Sequence, residues 1–270
     1  MISRFYLTLL LVFICSSSFA LNNGSNAMTG KSLEGLAKIK NKTLYFGHQS
    51  VGYNIVDGIA DVLSENNVAG YRIVDISGNA GLLRGTGFFH STIGKNGDPY
   101  LKITEFKKFI EMYHENIDVA FFKFCYIDIT HELDINDLFN HYKETMDALI
   151  KGYPAVTFVH FTAPLRVVQT GPKAWVKKLL NKPLGGAVDN VQRNRLNQKI
   201  IQQYSMTSPV FDLATAESTL ADGQVNQFDY QGKQYRTLIS EYTDDGKHLN
   251  AVGRKIIARD LLAFFGSQSF

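Results

Sequence analysis

The feature that most constrains this chain is a series of apolar runs too short to be helices and continuous rather than alternating. They are "TLYFG" at 43–47, "YRIVDI" at 71–76, "DVAFFKFC" at 118–125, "AVTFVH" at 155–160 and "PVFDL" at 209–213. Helical spacing follows each, near 51–65, 104–115, 136–151, 189–204 and 250–265. A strand apolar on both sides must be covered on both sides, so the runs predict a parallel sheet between two helical layers, joined by right-handed crossovers. The expected fold class is α/β, a three-layer α/β/α sandwich with a five-stranded parallel sheet. In such a sheet the ligand crevice lies at the carboxyl ends of the strands.

The first twenty residues stand apart. Arg4 precedes the apolar run "FYLTLLLVFIC" and Ser18-Phe19-Ala20 fits a small-x-small cleavage site, the pattern of a signal peptide. The run is too short to span a bilayer, which needs about 20 residues. Export to a periplasmic or extracellular space is the expectation, with no stable membrane insertion after cleavage. Cys15 leaves with the signal and Cys125 stays alone, so no internal disulfide is expected. Residues 21–40 read as an N-terminal leader, and 41–270 as a single domain, large enough to bury a sizeable core.

The formal charge falls from +3 to +2 when Arg4 is removed, with no long block of one sign, so nothing calls for nucleic acid. Two stretches exceed simple connections. Residues 77–103 hold six of the 22 glycines, and 161–188 carry the only Trp in "KAWVKKLL". Long ordered insertions at a functional rim serve as substrate loops or lids as readily as surface elaboration.

The transition from the first strand to the first long helix reads "FGHQSVGYNIVDGI". Two readings of Ser50 compete there. Serine is a favoured helix N-cap, and Val51 opens the helix. A serine on a strand-to-helix turn is also placed as a nucleophile, since the first helical N–H groups point at any anion forming beside it. The far end of the chain bears on the choice. "TDDGKHLNAVG" puts Asp245 three residues before His248, ahead of the last helix. Serine hydrolysis needs an imidazole to take the hydroxyl proton and a carboxylate to fix its tautomer, and one loop supplies both.

With these motifs the chain resembles the SGNH hydrolase superfamily, the GDSL-type esterases and lipases. "FGHQS" matches the serine after the first strand and "DDGKHLNAVG" the block before the final helix. "RNRLNQKIIQQY" with "PVFDLATAESTLADG" is similar to the late helix, fifth strand and following loop. The resemblance implies a flavodoxin-like strand order and ester hydrolysis through an acyl-enzyme, without metal or organic cofactor. Ser50 would be the nucleophile, His248 the general base and Asp245 its orienting acid. Two departures stand out. The Gly-Asp-Ser turn becomes Gly47-His48-Gln49-Ser50. In the Gly-x-Asn-Asp block, here "KFCYIDI", Asp128 matches but Ile127 fills the position of the oxyanion asparagine. The glycine-rich insertion offers substitutes: Gly78 or Gly81 as a backbone donor, and Asn79 or Asn96 as a side-chain donor, with Asn96 preferred.

His48 and Gln49 either donate to substrate or bond neighbouring loops. Asp128 either binds substrate or holds the site's loops, the second being favoured. Cys125 and His160 read as buried residues of the core. The expected substrate is a small-molecule or glycan O-acyl ester. The alternatives are a catalytically weak carbohydrate-binding or assembly protein on the same fold, or an O-acyltransferase using the same three residues.

Overall fold

The computed structural model describes residues 28–269 except 181 and 183. The expected signal peptide at 1–20 and the first part of the 21–40 leader therefore lie outside the described residues.

Along the chain run α1 (Gly30–Ile39), β1 (Thr43–His48), α2 (Val51–Glu65), β2 (Ile73–Asp75), β3 (Gly87–Thr92), α3 (Pro99–Tyr113) and β4 (Val119–Phe122). Then come α4 (Ile135–Gly152), β5 (Thr157–Phe161), α5 (Pro172–Leu179), α6 (Ala187–Tyr204), β6 (Val210–Phe211) and α7 (Leu213–Ser218). A small hairpin, β7 (Gln227–Tyr230) and β8 (Lys233–Arg236), precedes the last helix, α8 (Ala251–Ser267).

The main sheet has six parallel strands in the order β2-β3-β1-β4-β5-β6. The expected count of five is corrected by β3, which lies inside the stretch read as a glycine-rich insertion. Its residues "GFFHST" pair with β1 in register from Thr43↔Gly87 to His48↔Thr92. Without β3, the remaining strands follow the expected flavodoxin-like order.

Alternation along the strands sorts the core into two layers, because successive side chains point to opposite faces. Leu44, Phe46, Phe88 and Phe121 pack with α1, α2 and α8. Tyr45, Phe89, Ala120 and Phe122 pack with α3, α4 and α6. Helices therefore cover both faces, as the continuous apolar runs require.

The described part of the leader belongs to this packing. Thr29 caps α1, its hydroxyl accepting from the Ser32 N–H. α1 then crosses α8 at two glycines. A Cβ on Gly35 would lie 1.7 Å from the Leu262 carbonyl oxygen, and one on Gly266 would lie 2.7 Å from that of Lys31. Residues 30–39 are thus an integral helix rather than a leader. α3 begins at Pro99, earlier than its apolar period suggested, because the Asp98 side chain accepts from the Leu101 N–H and Pro suits the first helical position.

Candidate active site

β1 ends at His48 and α2 begins at Val51, so Gln49 and Ser50 form the turn at the carboxyl edge of the sheet. Ser50 adopts φ 45° and ψ −103°, a backbone state costly for a residue with a side chain. It makes no side-chain cap bond. Its Oγ lies 2.5 Å from His248 Nε2 instead. The capping reading of Ser50 is therefore excluded by its own geometry.

His248 comes from the loop before α8. Its Nδ1 is 2.7 Å from Asp245 Oδ2, while Asp245 Oδ1 accepts from the Lys247 and His248 backbone N–H groups, both at 2.8 Å. Burial by itself would raise the Asp245 carboxyl. The His248 and Lys247 N–H groups and the His248 ring outweigh it and hold the carboxyl well below the usual carboxylate range. The loop is closed by a bridge between Thr243 and Leu249. It is tied to α2 by the Leu249 N–H donating to Asn54 Oδ1 at 3.2 Å. It is tied to the 161–188 segment by the Val167 N–H donating to the Gly246 carbonyl at 3.0 Å. Asp245 is exposed and His248 and Ser50 are half-buried, so the three side chains meet at a face open to solvent.

The turn is anchored from three sides. Gln49 Nε2 donates to the carbonyls of Ile93 and Gly94, at 3.3 and 3.0 Å, so Gln49 bonds a neighbouring loop. Lys123, fully buried, donates to the Gln49 carbonyl at 3.3 Å, and burial holds its amine below the ordinary lysine range. His48 is fully buried, so the substrate-contact reading does not apply to it. Its Nε2 pairs with His90 Nδ1 at 3.0 Å, and burial, then the Lys123 and His90 charges, keep the ring neutral well below the usual histidine range. Gly52 leaves room for that ring, since a Cβ there would approach the His48 side chain to 2.3 Å.

The oxyanion candidates are separated by β3. Gly78, Asn79 and Gly81 follow β2, and β3 stands between β2 and β1. Two strand spacings, about 10 Å, therefore lie between their loop and the β1 edge. None of their hydrogen bonds reaches Ser50 or His248. The strand adjacent to β1 is β3, so the adjacent loop is 93–98, whose Ile93 N–H donates to the His48 carbonyl at 3.0 Å. Asn96 lies in that loop. Its Oδ1 accepts from Lys102 Nζ at 3.3 Å, and its amide nitrogen has no partner among the described residues. Asp128 is structural. Buried to 3 % exposure, it pairs with Lys102 Nζ and accepts from the Cys125 and Gly97 N–H groups at 2.6 and 2.8 Å, joining the 93–98 loop to the turn after β4.

Cys125 is buried, as expected. His160 is a core residue, bonded to Tyr142 at 2.7 Å, stacked on Tyr204 and pushed by burial down to about 3. Four neighbours of the site were not read from the sequence: Asn54, Lys123, Tyr126 and Arg166. The Tyr126 ring stands edge-on to His248 with centroids 5.6 Å apart, and the Arg166 guanidinium carbon lies over the same Tyr126 ring, 5.5 Å from its centroid. Only Asn54 carried a signal, lying four residues from Ser50 on one helix face. Beyond Val167 a groove of about 430 Å³ opens, with Trp175 and Phe228 among its walls and Gln169, Asn226 and Asp229 among its polar groups.

No family model and no curated protein matches the sequence. Solved structures to which the chain is similar include a protein from Streptococcus pneumonia described as a platelet activating factor, at 15% identity, covering 87% of this chain and 88% of that one, TM-score 0.44. Another, from Desulfitobacterium hafniense DCB-2 and described as a lipolytic protein of the G-D-S-L family, has 10% identity, coverages of 82% and 99%, and TM-score 0.43. A mutant of an acetyl-xylooligosaccharide esterase from Geobacillus has 13% identity, coverages of 86% and 97%, and TM-score 0.42.

Proposed function

We propose that the protein is an exported, divergent SGNH-type serine esterase acting on O-acyl esters, with a glycan as the alcohol part. The observation that carries the reading is the unbroken contact chain from Ser50 Oγ through both ring nitrogens of His248 to the Asp245 carboxylate. A serine held in a strained turn, with no cap bond and its oxygen on an imidazole, is arranged for proton removal.

In this reading Ser50 Oγ attacks the ester carbonyl carbon as its proton passes to His248 Nε2. The tetrahedral intermediate collapses, the carbon–oxygen bond to the alcohol breaks, and Nε2 returns the proton to the departing oxygen. Water then gives its proton to Nε2 as it attacks the acyl carbon, the bond from that carbon to Ser50 Oγ breaks, and Nε2 passes the proton to Oγ, releasing the acid and regenerating the serine hydroxyl. Asp245 holds the ring with Nδ1 protonated and stabilises the imidazolium between these transfers. The Ser50 N–H has no hydrogen-bond partner among the described residues and is available to the developing oxyanion, with Asn96 as the second donor. A glycan fits the groove beyond Val167, where aromatic rings and side-chain amides offer a sugar both flat faces and hydrogen bonds.

Labelling with a fluorophosphonate, followed by mass spectrometry, tests the reading. An adduct on Ser50 that disappears in His248→Ala is expected. Absence of the adduct from the wild-type protein, with the fold intact by circular dichroism, would leave a binding protein on the same scaffold as the better account.

A further inference from the structure

Arg166 is the one guanidinium beside the Ser50–His248–Asp245 cluster that the protein leaves uncommitted. Its backbone is held firmly. The Arg166 N–H donates to Asn190 Oδ1 at 3.1 Å, and its carbonyl accepts from Asn190 Nδ2 and Thr237 Oγ1 at 2.6 and 2.8 Å. The next residue, Val167, is bonded to Gly246 within the Asp245–His248 loop. The side chain then lies over Tyr126, whose ring meets His248. No hydrogen bond or ion pair to the guanidinium is formed among the described residues, and Arg166 Nε is buried without a partner. The neighbouring arginine behaves differently. Arg193, 1 % exposed, spends its Nε on the Tyr126 carbonyl and its Nη1 on Asn190 Oδ1.

A buried donor without an acceptor costs stability, and a guanidinium presents a planar fork suited to a carboxylate or phosphate. The chemistry says which half of an ester lies there. His248 hands its proton to the departing alcohol oxygen, so the alcohol half lies on the His248 side, where Tyr126 contacts His248 and carries Arg166 over its ring. Resting on the esterase reading above, we propose that Arg166 binds an oxyanion, carboxylate or phosphate, on the alcohol half of the substrate. The protein would then select acyl esters of acidic alcohols, such as acidic sugars, over neutral ones.

The test uses three acetyl esters with similar leaving groups: 3-acetoxybenzoate, 3-acetoxyphenyl phosphate and methyl 3-acetoxybenzoate. Wild-type kcat/KM is expected to favour an anionic ester over the neutral one by about tenfold, mainly through KM, the preference shrinking as salt is raised. The two anionic arms decide between carboxylate and phosphate. In Arg166→Gln the anionic-to-neutral ratio should fall to near one, and Arg166→Lys should restore part of it. Because the ratio is internal to each variant, partial misfolding does not imitate this result. Equal turnover of all three esters by the wild type, or an unchanged ratio in Arg166→Gln, overturns the proposal. Calorimetric binding of 3-hydroxybenzoate against its methyl ester reads the same site without catalysis. Tighter binding of the anion that is lost in Arg166→Gln upholds the proposal even if no ester is turned over, whereas equal binding ends it. Failure of the esterase reading shows separately, as an unlabelled Ser50.

Discussion

At the scale of single residues, the decisive fact is a backbone angle. A serine before a helix normally turns its hydroxyl back onto the first N–H groups, and composition alone favours that use. Here φ 45° at Ser50 aims the oxygen away from the helix, toward His248. The serine, the histidine and the aspartate were all legible as candidates because a short spacing and a turn position carried them. The angle was not legible, since it is imposed by Gln49 bonded to the 93–94 carbonyls, Lys123 beneath the turn and the His48 ring packed under Gly52. Ile127, where the resembled family has an asparagine, is 47 % exposed and offers no donor. If Asn96 supplies the second donor instead, Asn96→Ala lowers kcat by about 10²–10³ while melting temperature is retained. Steady-state kinetics beside thermal unfolding check this, and an unchanged kcat would remove Asn96 from the oxyanion site.

At the scale of elements, the strand missed in the sequence governs the site. "GFFHST" is bracketed by glycines and lies in a stretch with six of them, so its apolar core of two phenylalanines reads as loop colour rather than as a strand. Once paired beside β1, it moves the 77–82 segment one strand away and puts the 93–98 loop next to Ser50. What holds that loop is the Lys102–Asp128 pair, both side chains fully buried, with Asp128 also accepting from the Gly97 and Cys125 N–H groups. Removing one member strands the other charge in the interior. Lys102→Met is therefore expected to cost about 3–5 kcal/mol in urea unfolding, far more than loss of a surface ion pair. A cost below about 1 kcal/mol would mean that the pair is not what supports the loop.

At the scale of the whole molecule, ionisable side chains are buried beneath the crevice edge: Lys123, Glu217, Arg193 and the Lys102–Asp128 pair. Burial pushes the Glu217 carboxyl up from 4.5 to about 8, against the opposing pull of the Leu165 N–H, Lys123 and Arg193. The folded state thus keeps a proton that the unfolded chain releases. Its contribution to stability is complete below pH 4.5 and declines as pH rises toward about 8. Glu217→Gln keeps an acceptor for the Leu165 N–H but has no proton to lose. Its melting temperature relative to wild type should therefore climb across pH 5–8 and level off above, as thermal unfolding at several pH values will show. A constant difference would mean that the carboxyl is ionised throughout. Of these buried charges only Asp128 was read beforehand as structural, because a lone Lys, Arg or Glu among apolar residues looks the same in sequence whether it ends in solvent or in the core. Among the described residues no helix is long and apolar enough to cross a membrane. The sequence by itself determined the layered α/β plan and marked Ser50, Asp245 and His248 as candidates, since hydrophobic periodicity and short-range spacing are local properties. Only the tertiary structure decided that Ser50 points away from its helix, that β3 stands between β2 and β1, and that Arg166 lies over Tyr126 with its Nε buried and unpartnered. Those outcomes depend on contacts between residues far apart in the chain, and one-dimensional spacing does not encode which of them meet.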